Sequence, residues 1–372
     1  MPVEIIYLAS PFTAGKAGAH ALGHLRYKLG KRLIIHLDDC LSKGLIRTES
    51  EIAPILINAV KNENYMPSKY TWTPEFDGLV RAIARPVDQT VPIDSVLNPF
   101  LLRATVVDLQ GEVIPPLSAP GVSSLWGLPL RSLVGKKFRR QAGKVFLGEK
   151  TLPLDNSIQT IHGTSFKGYV NEFVEVLSNS KGVDLKLEES NNVKDQLCIN
   201  DAIDLLEQLG VSPLWVQSAI PILFITKQQK GISQSGSSEL HKGLVYISRS
   251  NDLYEIAETL LHEACHQNFY LGNIEGALEE DDGVERYSEP VGGLRPIWRI
   301  LLAYQAFANV AIFYSKVFDK IGSTPVRANH NLALADSLQK TLENVVFSKP
   351  KANQMFQCIR EIYLPAAKFL RS

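Results

Sequence analysis

The chain has 372 residues, 45% of them hydrophobic, and its 39 basic side chains balance its 39 acidic ones. A chain of this length and composition can bury a sizeable core, which excludes a largely disordered protein. Because the net charge is zero, the chain as a whole does not attract nucleic acid or an anionic membrane, and we expect neither as a partner.

The N-terminus lacks the charged-then-apolar order of a signal peptide, so we predict no export. Four widely spaced cysteines without a CxxC pair argue against a disulfide framework and against a thiolate zinc site. A reducing cytoplasm is therefore the expected location, and the oligomeric state stays open.

Several helices are predicted along the chain. Apolar spacing predicts a long helix over 13–42 and a shorter one over 49–62. Prolines are frequent over 67–129, which predicts a loop-rich connection with short strands. Helical patterns return over 165–180 and 200–211, and two apolar runs, IPILFIT and GLVYISR, then predict short buried strands.

The most regular helical pattern is SNDLYEIAETLLHEACHQNFYLG, which follows these strands. Apolar residues fall at helical spacing along it, and Ser250 or Asn251 is the expected N-cap. Gly272 is the expected end of the helix. An acidic, turn-rich loop follows, then a long buried helix over RPIWRILLAYQAFANVAIFYSKVF and two further helices to the C-terminus.

This helix carries the motif H-E-x-x-H, formed by His262, Glu263 and His266. By residue frequencies the pattern arises by chance in about one chain of this length in a hundred. Two histidines four residues apart lie on one face of a helix, where both imidazoles can bind one metal ion. The sequence therefore predicts a metal site on the motif helix.

A zinc peptidase is one interpretation of the motif. It needs a third protein ligand and an open position for water, with Glu263 as general base. Glu285 follows His266 after 18 residues, a spacing like that of glutamate-type zincins. Those enzymes usually present the third glutamate from a second helix, whereas Glu285 lies in the turn-rich loop, and no Met-turn or H-x-x-G-x-x-H continuation is present.

An iron oxygenase is the other interpretation. It needs two histidines and a carboxylate on Fe(II), together with a cation for the far carboxylate of 2-oxoglutarate. Arg295 and Arg299 stand at the start of the helix after the acidic loop, and an arginine binds a carboxylate in a bidentate manner. Either arginine could instead pair with the acidic run 279–282. A non-catalytic binding protein with a degenerate site would hold no metal.

The chain resembles the 2-oxoglutarate-dependent HExxH-type peptide β-hydroxylases, a family of peptide-modification proteins of natural-product clusters. The resemblance covers 235–267, where a small-residue patch, a short strand and the motif helix come in the family's order. It continues over 287–314, which is similar to the family's Tyr-x-x-Pro, Arg-Pro and aromatic-rich helix. The first 220 residues carry no motif that matches a known family.

The resemblance implies an Fe(II)- and 2-oxoglutarate-dependent hydroxylase acting on an unactivated carbon, expected to be a β-carbon of a peptide or amino-acid substrate. His262 and His266 would be iron ligands and Arg295 the residue that binds 2-oxoglutarate. Glu263 would support the ligands or handle a proton. The nearest counterpart of the family's third carboxylate is Glu275, after a one-residue offset. Whether the substrate is linked to a leader peptide or a carrier stays open.

The predicted fold is mainly α, of the α+β class, with a small β element beside the motif helix. Residues 1–150 form a helical and loop-rich N-terminal region that is a candidate for substrate binding. Residues 151–372 form the catalytic region that carries the metal site.

Overall fold

The computed structural model describes residues 5–48, 192–226, 234–274, 276–323 and 326–372, together with short strands between 124 and 161 and a few positions between 54 and 80. Of the interpretable residues 68% are helical, which confirms the predicted mainly α fold with a small β element. Most of the predicted helix over 49–62, the proline-rich region, the predicted helix over 165–180 and Glu275 lie outside the described residues.

Eight helices are found in the described part of the chain. They are α1 (Ile5–Ala9), α2 (Pro11–Ser42), α3 (Asn192–Gln208), α4 (Pro213–Gln217), α5 (Leu253–Gly272), α6 (Ile297–Ile321), α7 (Val326–Glu343) and α8 (Pro350–Arg371). The predicted helices at both ends of the chain are thus confirmed, and α5 is the motif helix.

The strands are short. They are β1 (Ser124–Leu125), β2 (Leu128–Pro129), β3 (Phe138–Gln141), β4 (Lys144–Leu147), β5 (Lys150–Leu152), β6 (Gln159–Ile161), β7 (Ile222–Thr226), β8 (Ser235–Ser237), β9 (Leu244–Ser248), β10 (Arg286–Ser288) and β11 (Gly293–Arg295). The two predicted buried strands correspond to β7 and β9.

The chain divides into two compact units, each made of several segments. The first contains 1–22, 198–219 and 250–372, and the second contains 23–197 and 220–249. The motif helix therefore shares a unit with the N-terminal helix α1. The functional division at residue 150 stays a prediction.

In the second unit, a four-stranded sheet has the order β6-β7-β9-β8. The strands β6, β7 and β9 are parallel to one another, and β8 pairs with β9 in the antiparallel direction. Every residue of β7 and β9 is buried, as expected for parallel strands covered on both faces. This explains why both strands show continuous apolar runs instead of an alternating pattern.

In the first unit, the long helix α6 packs against α5, α7 and α8, and α1 packs against α5 and α8. The antiparallel hairpin of β10 and β11 directly precedes α6. Two amides of α6 reach the end of α1, where Gln305 donates to the carbonyl of Leu8 (2.6 Å) and Asn309 to that of Ala9 (2.9 Å). These hydrogen bonds satisfy helix-end carbonyls that the buried position removes from water.

Asp252 is the N-cap of α5, and its carboxylate accepts hydrogen bonds from the main-chain N–H groups of Tyr254 and Glu255. The predicted N-caps, Ser250 and Asn251, are therefore wrong, because the observed N-cap lies two positions after Ser250 and one after Asn251. The hydroxyl of Ser250 instead donates to the side chain of Glu255. The predicted end of the helix at Gly272 is confirmed.

Within the described residues, α6 is the one helix long and apolar enough to cross a membrane, judged by length and composition. Of its most apolar stretch of 18 residues, 83% is buried inside the structure. Such burial is that of a core helix, and it confirms the predicted buried helix.

Glu280, in the acidic loop, caps the start of α8 from a distant point in the sequence. Its carboxylate accepts hydrogen bonds from the main-chain N–H groups of Ser348 (3.0 Å) and Lys349 (2.7 Å) and from the Ser348 hydroxyl (2.6 Å). Burial raises the pKa of Glu280, but these hydrogen bonds lower it by more, so the pKa lies below its usual value. The acidic loop is thereby fixed to the C-terminal helix.

We expect Glu280→Gln to lower the free energy of unfolding by about 1–3 kcal/mol at pH 7, since the amide cannot accept all three hydrogen bonds. The folded-state pKa is below the unfolded value of about 4.3, so this stabilisation is complete above that pH and is lost as the pH falls through the folded-state pKa. Urea unfolding from pH 7 to pH 3 measures it. Glu289→Gln, at an exposed position, is the control, and an equal loss in both variants would contradict the capping role.

Candidate metal centre

His262 and His266 lie one turn apart on α5, and their Nε2 atoms are 3.0 Å apart. Two ligands at a right angle on one metal ion, each bound at about 2.1 Å, would be about 3.0 Å apart, whereas a tetrahedral angle would place them about 3.4 Å apart. The two imidazoles therefore fit a single metal ion. The 3.0 Å separation is also that of a hydrogen bond between the two imidazole rings.

The two histidines are less buried than their neighbours on the helix. Between 260 and 271 on α5, every residue except His262 and His266 is buried. Between 300 and 315 on α6, every residue except Ala303 and Phe307 is buried. We call these four half-buried residues the half-exposed strip.

The contacts between α5 and α6 show that the two helices run antiparallel at the strip. The His262 ring meets the Phe307 ring edge to face, with centroids 5.0 Å apart. One turn earlier on α5, Glu258 accepts a hydrogen bond from the hydroxyl of Tyr314, which lies two turns later on α6. The strip is thus bounded at the Tyr314 end by a hydrogen bond between the helices.

Arg295 and Arg299 stand together at the opposite end. Burial lowers the pKa of Arg295, the positive charge of Arg299 lowers it further, and Tyr270 acts in the opposite direction. Tyr270 lies one turn after His266 on α5. Arg299 stacks on the Trp298 ring at 4.0 Å.

Neither arginine forms an ion pair or a side-chain hydrogen bond with any part of the chain that the structure describes. The acidic run 279–282, the alternative partner, is engaged elsewhere. Glu280 caps α8, Asp282 pairs with Arg286 at 2.6 Å, and Glu279 accepts from Asn273. Two half-buried like charges held side by side repel each other, so an anion bound between them would be stabilised.

A network of charged groups fixes the other end of the motif helix. Arg327 of α7 donates to both carboxylate oxygens of Glu258, at 2.7 and 3.0 Å, and to Glu255 at 2.7 Å. Asn331 donates to Glu258 at 3.2 Å. A buried carboxylate needs such partners, because taking it out of water is costly. Glu258 lies four residues before His262, so the network holds the turn of helix next to the metal ligands.

Glu263 lies on a different face of α5 from the strip. Only 2% of its surface is exposed, whereas both neighbouring histidines are half-buried. Burial raises the pKa of the adjacent Cys265 thiol, and the negative charge of Glu263 raises it further, while a hydrogen bond with Asn309 acts in the opposite direction. Cys265 is therefore a protonated core residue, and Glu263 faces the interior of the unit.

Among the described residues, no group of three or more histidine, cysteine, aspartate or glutamate side chains is placed to hold a metal ion. Glu285 is described, lies on the exposed loop before β10 and is not gathered with the two histidines. Glu275 lies outside the described residues, so its role as third ligand stays a prediction.

Comparison with known protein families and with curated proteins gives no match for this chain. The site is therefore interpreted from its own chemistry. Sequence reasoning found the histidines and the arginines but missed the Glu258 network and the strip residues Ala303 and Phe307. One signal was available, because Glu258, His262, His266 and Tyr270 follow one another at intervals of four residues.

We expect the purified chain to bind one divalent metal ion, and His262→Ala or His266→Ala to weaken that binding at least about 100-fold, since each removes a direct ligand. Metal stoichiometry and titration calorimetry measure the change. His330→Ala, at an exposed position of α7, is the matched control and should bind as the unchanged chain does. Full metal binding by both histidine variants would exclude this centre.

Proposed function

We propose that the protein is an Fe(II)- and 2-oxoglutarate-dependent oxygenase that hydroxylates an unactivated carbon, a β-carbon of a peptide or amino-acid substrate. The observation that carries this proposal is the arginine pair at the start of α6, which has no acidic partner among the described residues. Such a pair suits a dicarboxylate co-substrate.

The residues present fit the metal. His262 and His266 would supply two ligands to iron, and Glu275 is the proposed third. Bound iron would supply the redox chemistry, in which one atom of O₂ enters a substrate C–H bond and the other enters succinate as 2-oxoglutarate loses carbon dioxide. The two Nε2 atoms, 3.0 Å apart, are close enough for both to bind one ion.

The arginine pair and Phe307 would bind and orient the co-substrate and the substrate. Arg295 and Arg299 would hold the far carboxylate of 2-oxoglutarate and relieve their own repulsion. Phe307 presents an apolar ring beside His262, which suits a hydrocarbon part of the substrate better than a charged one. The substrate's attachment to a leader peptide or carrier, and a role for residues 1–150 in binding it, belong to the same proposal.

Two observations count against the competing zinc peptidase. Its general base would be Glu263, which is only 2% exposed, whereas the two histidines are half-buried. Its third ligand would be Glu285, which is exposed and not gathered with the histidines. The four free thiols agree with a reducing compartment, and we propose a cytoplasmic protein of natural-product biosynthesis.

Purified without oxygen and loaded with Fe(II), the protein should convert 2-oxoglutarate to succinate when oxygen is admitted, and add 16 mass units to its substrate, which is one oxygen atom. We expect Arg295→Gln to raise the KM for 2-oxoglutarate about 10- to 100-fold, since a charge-assisted hydrogen bond contributes about 1.5–3 kcal/mol. Succinate is measured by mass spectrometry.

The matched control is Arg286→Gln, because Arg286 faces Arg295 across the hairpin but is already paired with Asp282. Its KM for 2-oxoglutarate should stay within about twofold of the unchanged chain. The peptidase makes the opposite prediction, in which Glu285→Gln loses the metal while Arg295→Gln keeps full turnover. No succinate with iron, together with peptide cleavage with zinc, would overturn the proposed oxygenase.

A further inference from the structure

We propose that the exposed side of the hairpin of β10 and β11 is a docking surface for an extended peptide in which basic side chains alternate with apolar ones. We call Glu285, Tyr287, Glu289, Val291 and Leu294 the hairpin surface. The inference rests on the proposed function in one respect, because it takes the bound peptide to be the substrate. It adds the chemical class of that peptide and the place that holds it.

The hairpin is built the opposite way round from one that covers a core. In an antiparallel pair with one face on the core, apolar side chains point inward and polar ones outward. Here Ser288 is fully buried and Arg286 and Arg295 are half-buried, whereas Tyr287 and Leu294 are exposed to 53% and 63%. The polar side of the hairpin is therefore the more buried one, and the apolar side faces solvent.

The strand register maintains this arrangement. Tyr287 lies directly opposite Leu294, so their side chains are neighbours on one face. A slip of one residue in either strand would move its apolar side chain to the other face. Gly292, with a left-handed backbone (φ 63°), closes the turn, and its N–H donates to the carbonyls of Ser288 (2.9 Å) and Glu289 (3.1 Å). The turn thus fixes the register that leaves the apolar face exposed.

Exposed apolar side chains are concentrated at this hairpin. Sixteen large hydrophobic side chains are exposed among the described residues, and four of them fall within eleven residues of the chain, at Val284, Tyr287, Val291 and Leu294. Single exposed hydrophobic side chains are normal, whereas a cluster marks an interaction site. Because β10 and the turn after it pack against α7, this cluster is carried on a fixed part of the fold.

Charge selects the kind of partner. From 285 to 291 every second residue is exposed, in the order Glu285, Tyr287, Glu289, Val291. Neither glutamate forms an ion pair or a side-chain hydrogen bond with a residue that the structure describes. The basic residue between them, Arg286, is already paired with Asp282. A peptide with alternating basic and apolar side chains would pair with both carboxylates and cover the apolar side chains between them.

One short peptide can reach the whole surface. Glu285 and Glu289 are four residues apart, so their Cα atoms are at most about 14 Å apart, a distance that five extended residues span. Leu294 directly precedes Arg295, the residue proposed to bind 2-oxoglutarate, and the two side chains point to opposite faces of β11. A peptide docked on Leu294 is therefore held by the same strand that carries the proposed co-substrate residue.

The probe is a short fluorescent peptide in which lysine alternates with valine, and its counterpart has glutamate in place of lysine. Fluorescence anisotropy with the full chain measures binding without turnover. We expect the lysine peptide to bind at least about tenfold more tightly, since it pairs with the two carboxylates that repel the glutamate peptide. Added salt should reduce this difference, because exposed charges are screened.

Two double variants test the surface itself. We expect Glu285→Gln with Glu289→Gln to weaken binding of the lysine peptide at least about threefold, since two exposed ion pairs are lost. Tyr287→Ser with Leu294→Ser should weaken it at least about tenfold, since the peptide then covers less apolar surface. All four side chains are exposed, so the variants should fold and bind metal as the unchanged chain does.

Each double variant has a matched control in the same unit. Asp319→Asn with Glu361→Gln removes two exposed negative charges away from the hairpin. Val326→Ser with Val346→Ser replaces two apolar side chains that are exposed to 89% and 93%. Both controls should bind the lysine peptide within about twofold of the unchanged chain.

Four results would overturn the inference. They are no binding of the lysine peptide, equal binding of the two peptides, equal binding by the hairpin variants and the unchanged chain, and a dimer in sedimentation that the hairpin variants lose. In the last case a second copy of the chain would occupy the surface. Failure of the proposed function gives a different result, in which no succinate is formed although the hairpin variants still lose the peptide. That result would support the docking surface and remove the reaction.

Discussion

The antiparallel packing of α5 against α6 determines where each candidate site residue of the first unit lies. Both helices are buried on nearly every side, so neither can rotate without exposing apolar surface to water. Contacts at Glu258 with Tyr314 and at His262 with Phe307 fix the register of one helix against the other. With the register fixed, the His262 ring of α5 lies against the Phe307 ring of α6.

Two buried carboxylates of this unit have described partners, whereas the half-buried arginine pair has no acidic partner among the described residues. Glu258 has Arg327 and Asn331, and Glu280 has the start of α8. Two neighbouring guanidinium groups without an acidic partner repel each other. Their repulsion lowers the free energy of unfolding. Such an uncompensated charge is a common property of a ligand-binding site, where the ligand completes the pairing.

The helices and strands could be predicted from the sequence because they depend on local patterns of apolar residues. The apolar spacing of α5, α6 and α8 and the continuous runs of β7 and β9 predicted these elements correctly. The N-cap at Asp252 was missed since three adjacent residues, from Ser250 to Asp252, can all cap a helix and only the backbone geometry selects one.

Hydrogen bonds and ion pairs between distant parts of the chain could not be predicted from the sequence. Glu280 caps a helix that begins 70 residues later in the sequence. Arg327 reaches Glu258 over a separation of 69 residues. Neither pair carries a local pattern, and both depend on how the helices pack after they form.

The two histidines of an H-E-x-x-H motif can supply two ligands to a metal ion, but they do not determine which reaction the metal would catalyse. What distinguishes the possible reactions is which other groups face the same surface as the imidazoles. Here Phe307 of α6 meets the His262 ring, and the arginine pair at the start of α6 has no acidic partner among the described residues. Under the proposed oxygenase, that helix would supply the positive charge that a dicarboxylate co-substrate needs.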